Sequence, residues 1–387
     1  MSLPLLKRRP DSGLGNIRSS PGDPSRNIDW VLLGGQGLLT IAGCFVVFSA
    51  TRTQGDDPYR FVTRQVIFAI AASLAMVVTM AVDYEWLRER ARLLYAGTVA
   101  VLAGLIVLGQ LSGRGVRLAF EVGPIQIQPA ELAKLTVLLA LCAFLADERR
   151  GGVDISYAQF LGGLVLVGIP ALLIIAQPDL GTGSVLVAMA MGVLLVAGAK
   201  ARYILTISLL SLLTMVAAVV GNFVNAYQLE RLRVFIDEDN PQLEDAAFQV
   251  NNAIRAVGTG GLFGKGYLQG PLTNARDIPV VWADFPFAAI GEQFGLLGCA
   301  GLLVAFMVVL VRIWRIAHLS RDLFGTYICA GVFTMLLWQV FQNVGMTLGI
   351  MPVTGLPMPF ISYGGSSLVT YCALFGLVQS VHMRRMR

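Results

Sequence analysis

The sequence predicts an all-α fold: a polytopic integral membrane protein of about ten transmembrane helices. Three observations carry this. The 387 residues are 56% hydrophobic and only 14% charged, against about 25% charged in a soluble domain, and mean hydropathy is +0.69. Apolar runs of about 20 residues, the length a helix needs to cross a hydrocarbon core of about 30 Å, recur from residue 30 to the end. Only a helix or a closed barrel satisfies its backbone in lipid, and runs of this length are read as helices.

The runs can be placed in order. The first covers about Trp30 to Ala50, and a charged loop from Arg52 to Arg64 follows it. The second ends near Val82, where the charged stretch Asp83 to Arg92 turns the chain into the third. A glycine-bearing loop from Gly113 to Gln128 leads to Pro129, a residue suited to the first helical position because its missing N–H would be unpaired there anyway. That fourth span carries Glu131 and Lys134 in its first turn and closes at Asp147. The fifth and sixth are separated only by Gln177-Pro-Asp-Leu-Gly-Thr-Gly183, a tight turn in which Asp179 reads as a helix cap. A seventh span reaches Gly221. The eighth begins near Asp284 and ends before Arg312, the ninth runs from about Phe324 to Leu348, and the tenth ends at Met383.

With alternate loops on alternate sides, 18 of the 29 Lys and Arg residues fall on the side of the two termini. The positive-inside rule puts that side in the cytoplasm. Residues 1–27 read as a disordered cytoplasmic tail, and 28–387 as one transmembrane domain with an extracytoplasmic loop over 225–284. The net charge of +5 is explained by this topology, so nucleic acid is not an expected partner. All five cysteines lie in apolar runs without CxxC spacing or a neighbouring histidine, which argues against a disulfide framework and a metal site. No internal repeat stands out, which disfavours transporters built from inverted repeats.

The long loop is the stretch that asks for a function. It holds Arg231, Arg233, Arg255, Lys265 and Arg276, the glycine-rich segment Gly258 to Gly270, and then Asp284 where an apolar helix begins. Cations, pliable backbone and one carboxylate suggest an anionic substrate. Asp284 is either a helix N-cap or a functional acid, since an ionisable group where a helix enters the membrane is costly unless used. Glu292, eight residues on, is expected to pair internally. The glycine segment follows no strand and fits no Walker A pattern, so a phosphate cradle is weakly indicated. Glu131 and Lys134, three apart, share a helix face and can pair, as a structural lock or as part of a pathway, with the lock favoured. His318 and His382 lie on the opposite side from the loop. The block from Asn343 to Ser367 has no charge and carries Pro352, Pro357 and Pro359 between two spans. Broken backbone at that depth must pack in protein or line a cavity, which predicts a re-entrant loop beside the site.

In that block Asn343, Gly349-Ile-x-Pro352, Gly355-Leu356 and Ser362-Tyr-Gly-Gly-Ser-Ser367 resemble the signature of the SEDS family (shape, elongation, division, sporulation), the RodA- and FtsW-type membrane proteins that polymerise peptidoglycan. Gln128-Pro-x-Glu-Leu-x-Lys134, Gln177-Pro-Asp-Leu-Gly-Thr182, Tyr227-Gln228 with Arg231, and Gly260-Gly-Leu-x-Gly-Lys-Gly266 are family-like too, in the expected order. The resemblance covers nearly everything after residue 29. It implies the ten-helix fold of the family, residence in the bacterial cytoplasmic membrane, and transfer of the disaccharide-pentapeptide of lipid II onto a growing glycan. A class B penicillin-binding protein is the implied partner. The Ile28-Asp-Trp30 start and short tails lean to the RodA type, and so to the elongation complex, with an FtsW-type division polymerase as the alternative.

By the same resemblance Asp284 matches the family's essential extracytoplasmic acid, and Glu131 and Lys134 match its ion pair. Where the family typically reads a proline, Glu, a variable residue, His and Thr before that acid, this chain has Pro279-Val-Val-Trp-Ala-Asp284. Glycosyl transfer from a polyprenyl diphosphate needs a base for the acceptor hydroxyl and positive charge on the leaving diphosphate. Asp284 suits the first role. Arg231, Lys265 and Arg276 suit the second, and Ser362, Gly364 and Gly365 of the signature are expected at the substrate. A divalent cation could share the charge, though no ligand cluster announces one. A flippase for lipid-linked precursors would use the same basic cavity without a base, and a scaffold for a penicillin-binding protein would need neither.

Overall fold

The computed structural model describes residues 27–54, 57–111, 119–122, 125–147, 155–203, 205–206, 208–209 and 244–386. The expected N-terminal tail, the seventh span and Arg231 lie outside these residues. Six helices precede that gap: α1 (Trp30–Thr51), α2 (Arg60–Ala81), α3 (Tyr84–Leu111), α4 (Pro129–Asp147), α5 (Tyr157–Ile175) and α6 (Leu180–Val196). After it come α7 (Glu244–Gly260), α8 (Pro271–Ala275), α9 (Pro286–His318), α10 (Leu323–Thr347) and α11 (Gly365–Met383). Among the described residues seven helices are long and apolar enough to cross a membrane, namely α1 to α5, α9 and α10. The 17-residue α6 spans about 26 Å. The last helix, α11, is buried along almost its whole length inside the bundle.

The boundaries follow local chemistry. Asp29 caps α1, accepting from the Leu32 amide at 2.9 Å, and its carboxylate is clamped by Arg312 of α9. Gln379 of α11 holds the Asp29 backbone from both sides, donating to its carbonyl and accepting from its amide. Burial disfavours the charged form of Asp29, yet Arg312 and the Leu32 amide together hold its carboxyl below the ordinary range. Such a depressed group stabilises the fold above its unfolded pKa, and the contribution is lost as pH falls through the folded value. Ser156 and Gln159 form a reciprocal capping box on α5, and Asp179 caps α6 through the Thr182 amide at 2.9 Å, as the sequence suggests. Pro129 opens α4.

Four features differ from the sequence expectation. A two-stranded antiparallel hairpin, β1 (Phe120–Val122) with β2 (Ile125–Ile127), occupies the loop ahead of α4. It is pinned to the start of α11, because Ser366 Oγ accepts from the Gln128 amide and donates to the Gln126 carbonyl. Helix α9 does not end before Arg312 but continues to His318. It is also broken at Gly295, where φ is +64°. The stretch expected as extracytoplasmic loop contains two helices, α7 and α8, and its glycine-rich part lies along α9. The Leu262 carbonyl accepts from the Leu297 amide, some eleven residues, or about 16 Å of helix, beyond Pro286.

Phe263 at the tip of this segment is 78% exposed, next to the exposed Leu262, Leu296 and Leu297. An apolar tip of this kind fits lipid rather than water. A tryptophan in place of Phe263 should therefore emit at short wavelength and be quenched by bromine-labelled acyl chains in proteoliposomes. Emission typical of solvated indole, with no quenching, would place the tip in water.

Candidate active site

The break in α9 determines the local architecture. In an unbroken helix the amides of Leu296 and Leu297 would donate to the carbonyls of Glu292 and Gln293. The left-handed Gly295 separates these four groups, and in a low-dielectric bundle each would be costly if left unpaired. The glycine-rich segment pairs all four. Lys265 N donates to Glu292 O at 2.9 Å and Gly266 N to Gln293 O at 3.0 Å, while Gly261 O and Leu262 O accept from Leu296 N (2.8 Å) and Leu297 N (3.2 Å). This splice needs backbone to touch backbone. A Cβ on Gly264, where φ is +81°, would overlap the Gln293 carbonyl, and one on Gly260 would overlap the Gly291 carbonyl. The glycines therefore serve close packing, and the segment's amides are occupied here rather than arranged as a phosphate cradle.

The side chains of Glu292 and Gln293 fix the onward path of the segment. Glu292 is fully buried. Its carboxylate accepts from Leu272 N (2.7 Å), Thr273 N (2.9 Å) and Thr273 Oγ1 (2.5 Å), substituting for the side-chain cap that Gly270 cannot give α8. The internal pairing expected of Glu292 is thus with helix-terminal donors, the preferred place for a carboxylate. Gln293 Oε1 accepts from Leu268 N and from Ser49 of α1, and Arg52 at the end of α1 donates to the Leu268 carbonyl. Lys265 and Arg276 stand on this platform, both exposed, Arg276 as the left-handed C-cap of α8.

Asp284 is half-buried in the turn preceding α9. The N-cap of α9 is Phe285, without a side-chain cap bond, and Pro286 takes the first helical position, so the helix-cap role considered for Asp284 is not the one it has. Its own peptide groups are both held. Asp284 N donates to Val280 O at 3.1 Å, and Asp284 O accepts from Asn343 Nδ2 at 2.9 Å. The proline-rich block expected to re-enter the membrane forms a non-helical loop over residues 351–364, packed beside Asp284: Tyr363 N donates to Trp282 O at 2.9 Å, two residues before it. Phe61 of α2 packs on both Trp282 and Tyr363.

Ser362 is buried and acts within this loop, its hydroxyl accepting from Met358 N at 2.7 Å and its carbonyl accepting from Gln65 of α2. Gly364 is the N-cap of α11. Gly365 lets α11 approach α2, since a Cβ there would lie 2.9 Å from the Phe68 ring. Beneath the loop, Lys134 Nζ lies 2.8 Å from Glu131 Oε1 within α4, the lysine side chain fully buried. Lys134 also reaches Gln339 Oε1 at 3.4 Å, which accepts from Tyr371 as well. Gln339 Nε2 then donates to Pro357 O at 2.6 Å. The pair is thus tied to the re-entrant loop through α10, a connection that i, i+3 spacing cannot reveal.

All five cysteines are free thiols. Among the described residues no group of three or more His, Cys, Asp or Glu side chains comes together.

A bundle in which seven of the described helices are long and apolar enough to cross a membrane defines a multi-pass membrane protein. The chain belongs to the FtsW/RodA/SpoVE family of cell cycle proteins, whose family model matches residues 29–387. Stage V sporulation protein E of Bacillus subtilis (strain 168) is 34% identical over 354 residues, covering 89% of this chain and 93% of that protein. The peptidoglycan glycosyltransferase MrdB of Escherichia coli (strain K12) is 33% identical over 318 residues, covering 82% and 84%. A chain from a structure described as showing the coordination of polymerization and crosslinking by a peptidoglycan synthase complex superposes with a TM-score of 0.76 at 29% identity, covering 92% of this chain and 98% of that one. The rod shape determining protein RodA of Thermus thermophilus superposes at 0.66 with the same identity, covering 92% and 97%.

Two predictions test the architecture. Gly264→Ala, which forces a Cβ into the Gln293 carbonyl, should lower the melting temperature in detergent clearly more than Gly261→Ala, which meets open space and bears only left-handed strain of about 1–2 kcal/mol. Equal effects would refute the splice. Lys134→Met leaves Glu131 buried and uncompensated, at a cost of about 3–5 kcal/mol. Adding Glu131→Gln should restore most of the loss in the same assay.

Proposed function

We propose that the protein is a peptidoglycan glycosyltransferase that polymerises lipid II in the bacterial cytoplasmic membrane, with Asp284 as its general base. The observation that carries the base assignment is the position of Asp284. It lies half-buried in the turn just before α9, whose N-cap is Phe285, and its backbone is held from both sides. A base must be set in geometry before its basicity counts. Family membership supports the reaction class, and the relatives named as peptidoglycan glycosyltransferases support the substrate class.

In the proposed reaction a sugar hydroxyl of the acceptor attacks the anomeric carbon of the donor sugar as Asp284 takes the hydroxyl proton. The bond from that carbon to the diphosphate oxygen breaks, and undecaprenyl diphosphate leaves with the electron pair. The departing diphosphate carries the developing negative charge, so fixed cations there favour the transition state. Lys265 and Arg276, exposed on the platform beside the broken helix, are assigned this task together with Arg231. The loop carrying Ser362, Gly364 and Gly365 shapes the substrate side of the site, and the Glu131–Lys134 pair is a structural tie. Both termini are assigned to the cytoplasm, and Asp284 with the charged part of the platform is assigned to the outer face, where lipid II presents its sugars. A class B penicillin-binding protein is the proposed partner, supported by the likeness to a chain of a synthase complex that couples polymerization and crosslinking. The role is assigned to elongation and cell shape.

The test is polymerisation of purified lipid II by the wild-type chain and Asp284→Asn, each with a class B penicillin-binding protein. Wild type should make glycan strands and Asp284→Asn should be slower by about 10²–10⁴-fold, the range for losing a general base, with an unchanged melting temperature. Equal rates would remove Asp284 from the chemistry. No product from either, with lipid-linked precursor still moved across vesicles, would favour transport.

A further inference from the structure

We propose that Asn343 is a positioning residue for Asp284, an inference that rests on the base assignment above. Asn343 sits on α10 with no exposed surface. Its amide group donates twice, to Asp284 O at 2.9 Å and to Leu356 O at 2.8 Å. Its own carbonyl is accounted for locally, accepting from Thr347 Oγ1. The orientation of the amide is fixed by its surroundings, because the reverse orientation would set Oδ1 against two carbonyl oxygens.

The other end of the same side chain shows what the residue is kept for. Among the described residues Oδ1 is buried without a hydrogen-bond partner. An unpaired buried acceptor is a cost that an apolar residue of similar size would avoid, so an asparagine here is kept for the bonds its amide donates. Gln339, one helical turn earlier on the same face of α10, already holds the re-entrant loop through Pro357 O. Asn343 takes the adjacent carbonyl, Leu356 O, and extends the tie across to Asp284.

The geometric consequence falls on a single Cα. The amide before it is bound to Val280 O, and the carbonyl after it is bound to Asn343. With both flanking peptide planes fixed, the direction of the Asp284 Cα–Cβ bond is fixed as well, and with it the approach of the carboxylate. Removing the second tie leaves the turn anchored on one side only. A displacement of about 1 Å at a reacting group costs on the order of 10²-fold in rate. Substrate binding, which rests on other residues, should be little affected.

The test uses the complex with the penicillin-binding protein and measures kcat and KM for lipid II in wild type, Asn343→Leu, Asn343→Asp and Asp284→Asn. Asn343→Leu takes the donor from two carbonyls, so its melting temperature should fall modestly, while the folded enzyme keeps a KM within about threefold and its kcat falls about 10- to 100-fold. Asn343→Asp supplies a readout that packing would not give. Burial favours its protonated carboxyl, which can donate to one of the two carbonyls, so its kcat should exceed that of Asn343→Leu at low pH. It should fall as pH rises and the carboxyl ionises, on a limb absent from the wild type. A wild-type kcat in Asn343→Leu overturns the proposal, as does an Asn343→Asp profile parallel to wild type. If Asn343→Leu does not fold, the Asn343→Asp profile decides alone. A fully active Asp284→Asn would overturn the base assignment itself, whereas an inactive Asp284→Asn beside a full-rate Asn343→Leu overturns only the positioning role.

Discussion

The structure around the site depends on the need of backbone amides and carbonyls for partners where water is scarce. At Gly295 the α9 ladder opens and four polar groups lose their helical partners. A chain segment from before the helix enters the gap and pairs every one of them. Each pairing carries structural consequences, because the groups belong to residues whose side chains also work. Glu292 and Gln293 meet the segment with their carbonyls and hold its continuation with their side chains, so one break in one helix fixes the path from Lys265 to Arg276. The glycines are the condition for this. With side chains at 260 and 264 the two backbones could not approach within hydrogen-bonding distance.

A second set of ties converges from the other side. Glu131 and Lys134 on α4, Gln339 and Asn343 on α10, and Tyr371 on α11 form a polar seam through an otherwise apolar interior. Its outer end is the re-entrant loop and the turn holding Asp284. The hydrogen bonds these groups make specify one arrangement, because alternatives leave charges or donors unpaired. The seam fixes the loop and the splice fixes the platform. Asp284 lies between two structures set by different helices, so movement at the site requires breaking hydrogen bonds rather than sliding apolar surfaces.

Much of this fold was legible from the residues alone, because membrane helices are written in long local runs. The spans, Pro129 at a helix start and the Asp179 cap depend on neighbours within a turn or two, and so does the Glu131–Lys134 pair. What escaped the sequence depends on contacts between distant segments. Nothing near Gly258 to Gly270 announces that its partner is a break at Gly295, so the glycines suggested a ligand cradle. The hairpin at 120–127 is too short for an alternating pattern to declare it. The order of Asp284, Phe285 and Pro286 permits either of the first two to cap, and only the path of the backbone decides. A signal for Asn343 was present, as the first residue of the family-like block, but its reach to Asp284 is a tertiary fact.

Charge in the bundle obeys the same demand for partners. The buried ionic groups of the described bundle are matched internally: Glu131 by Lys134, Asp29 by Arg312, and Glu292 by the amides and hydroxyl at the start of α8. Matching of this kind removes the uncompensated charge that would oppose insertion in lipid. Lys265 and Arg276 are different, since they are exposed, Lys265 beside the splice and Arg276 at the end of α8. Exposed cations gain little from weak surface pairing, and in the proposed function their value lies in a ligand that brings concentrated negative charge and excludes water. A diphosphate on a lipid tail does both, since the tail keeps the headgroup at the membrane face while the carbohydrate remains in water. The separation explains how a chain built almost wholly for lipid can act on a water-soluble sugar. In the proposed reaction the bundle provides rigidity and lipid contact, and Asp284 with a few cations carries the chemistry.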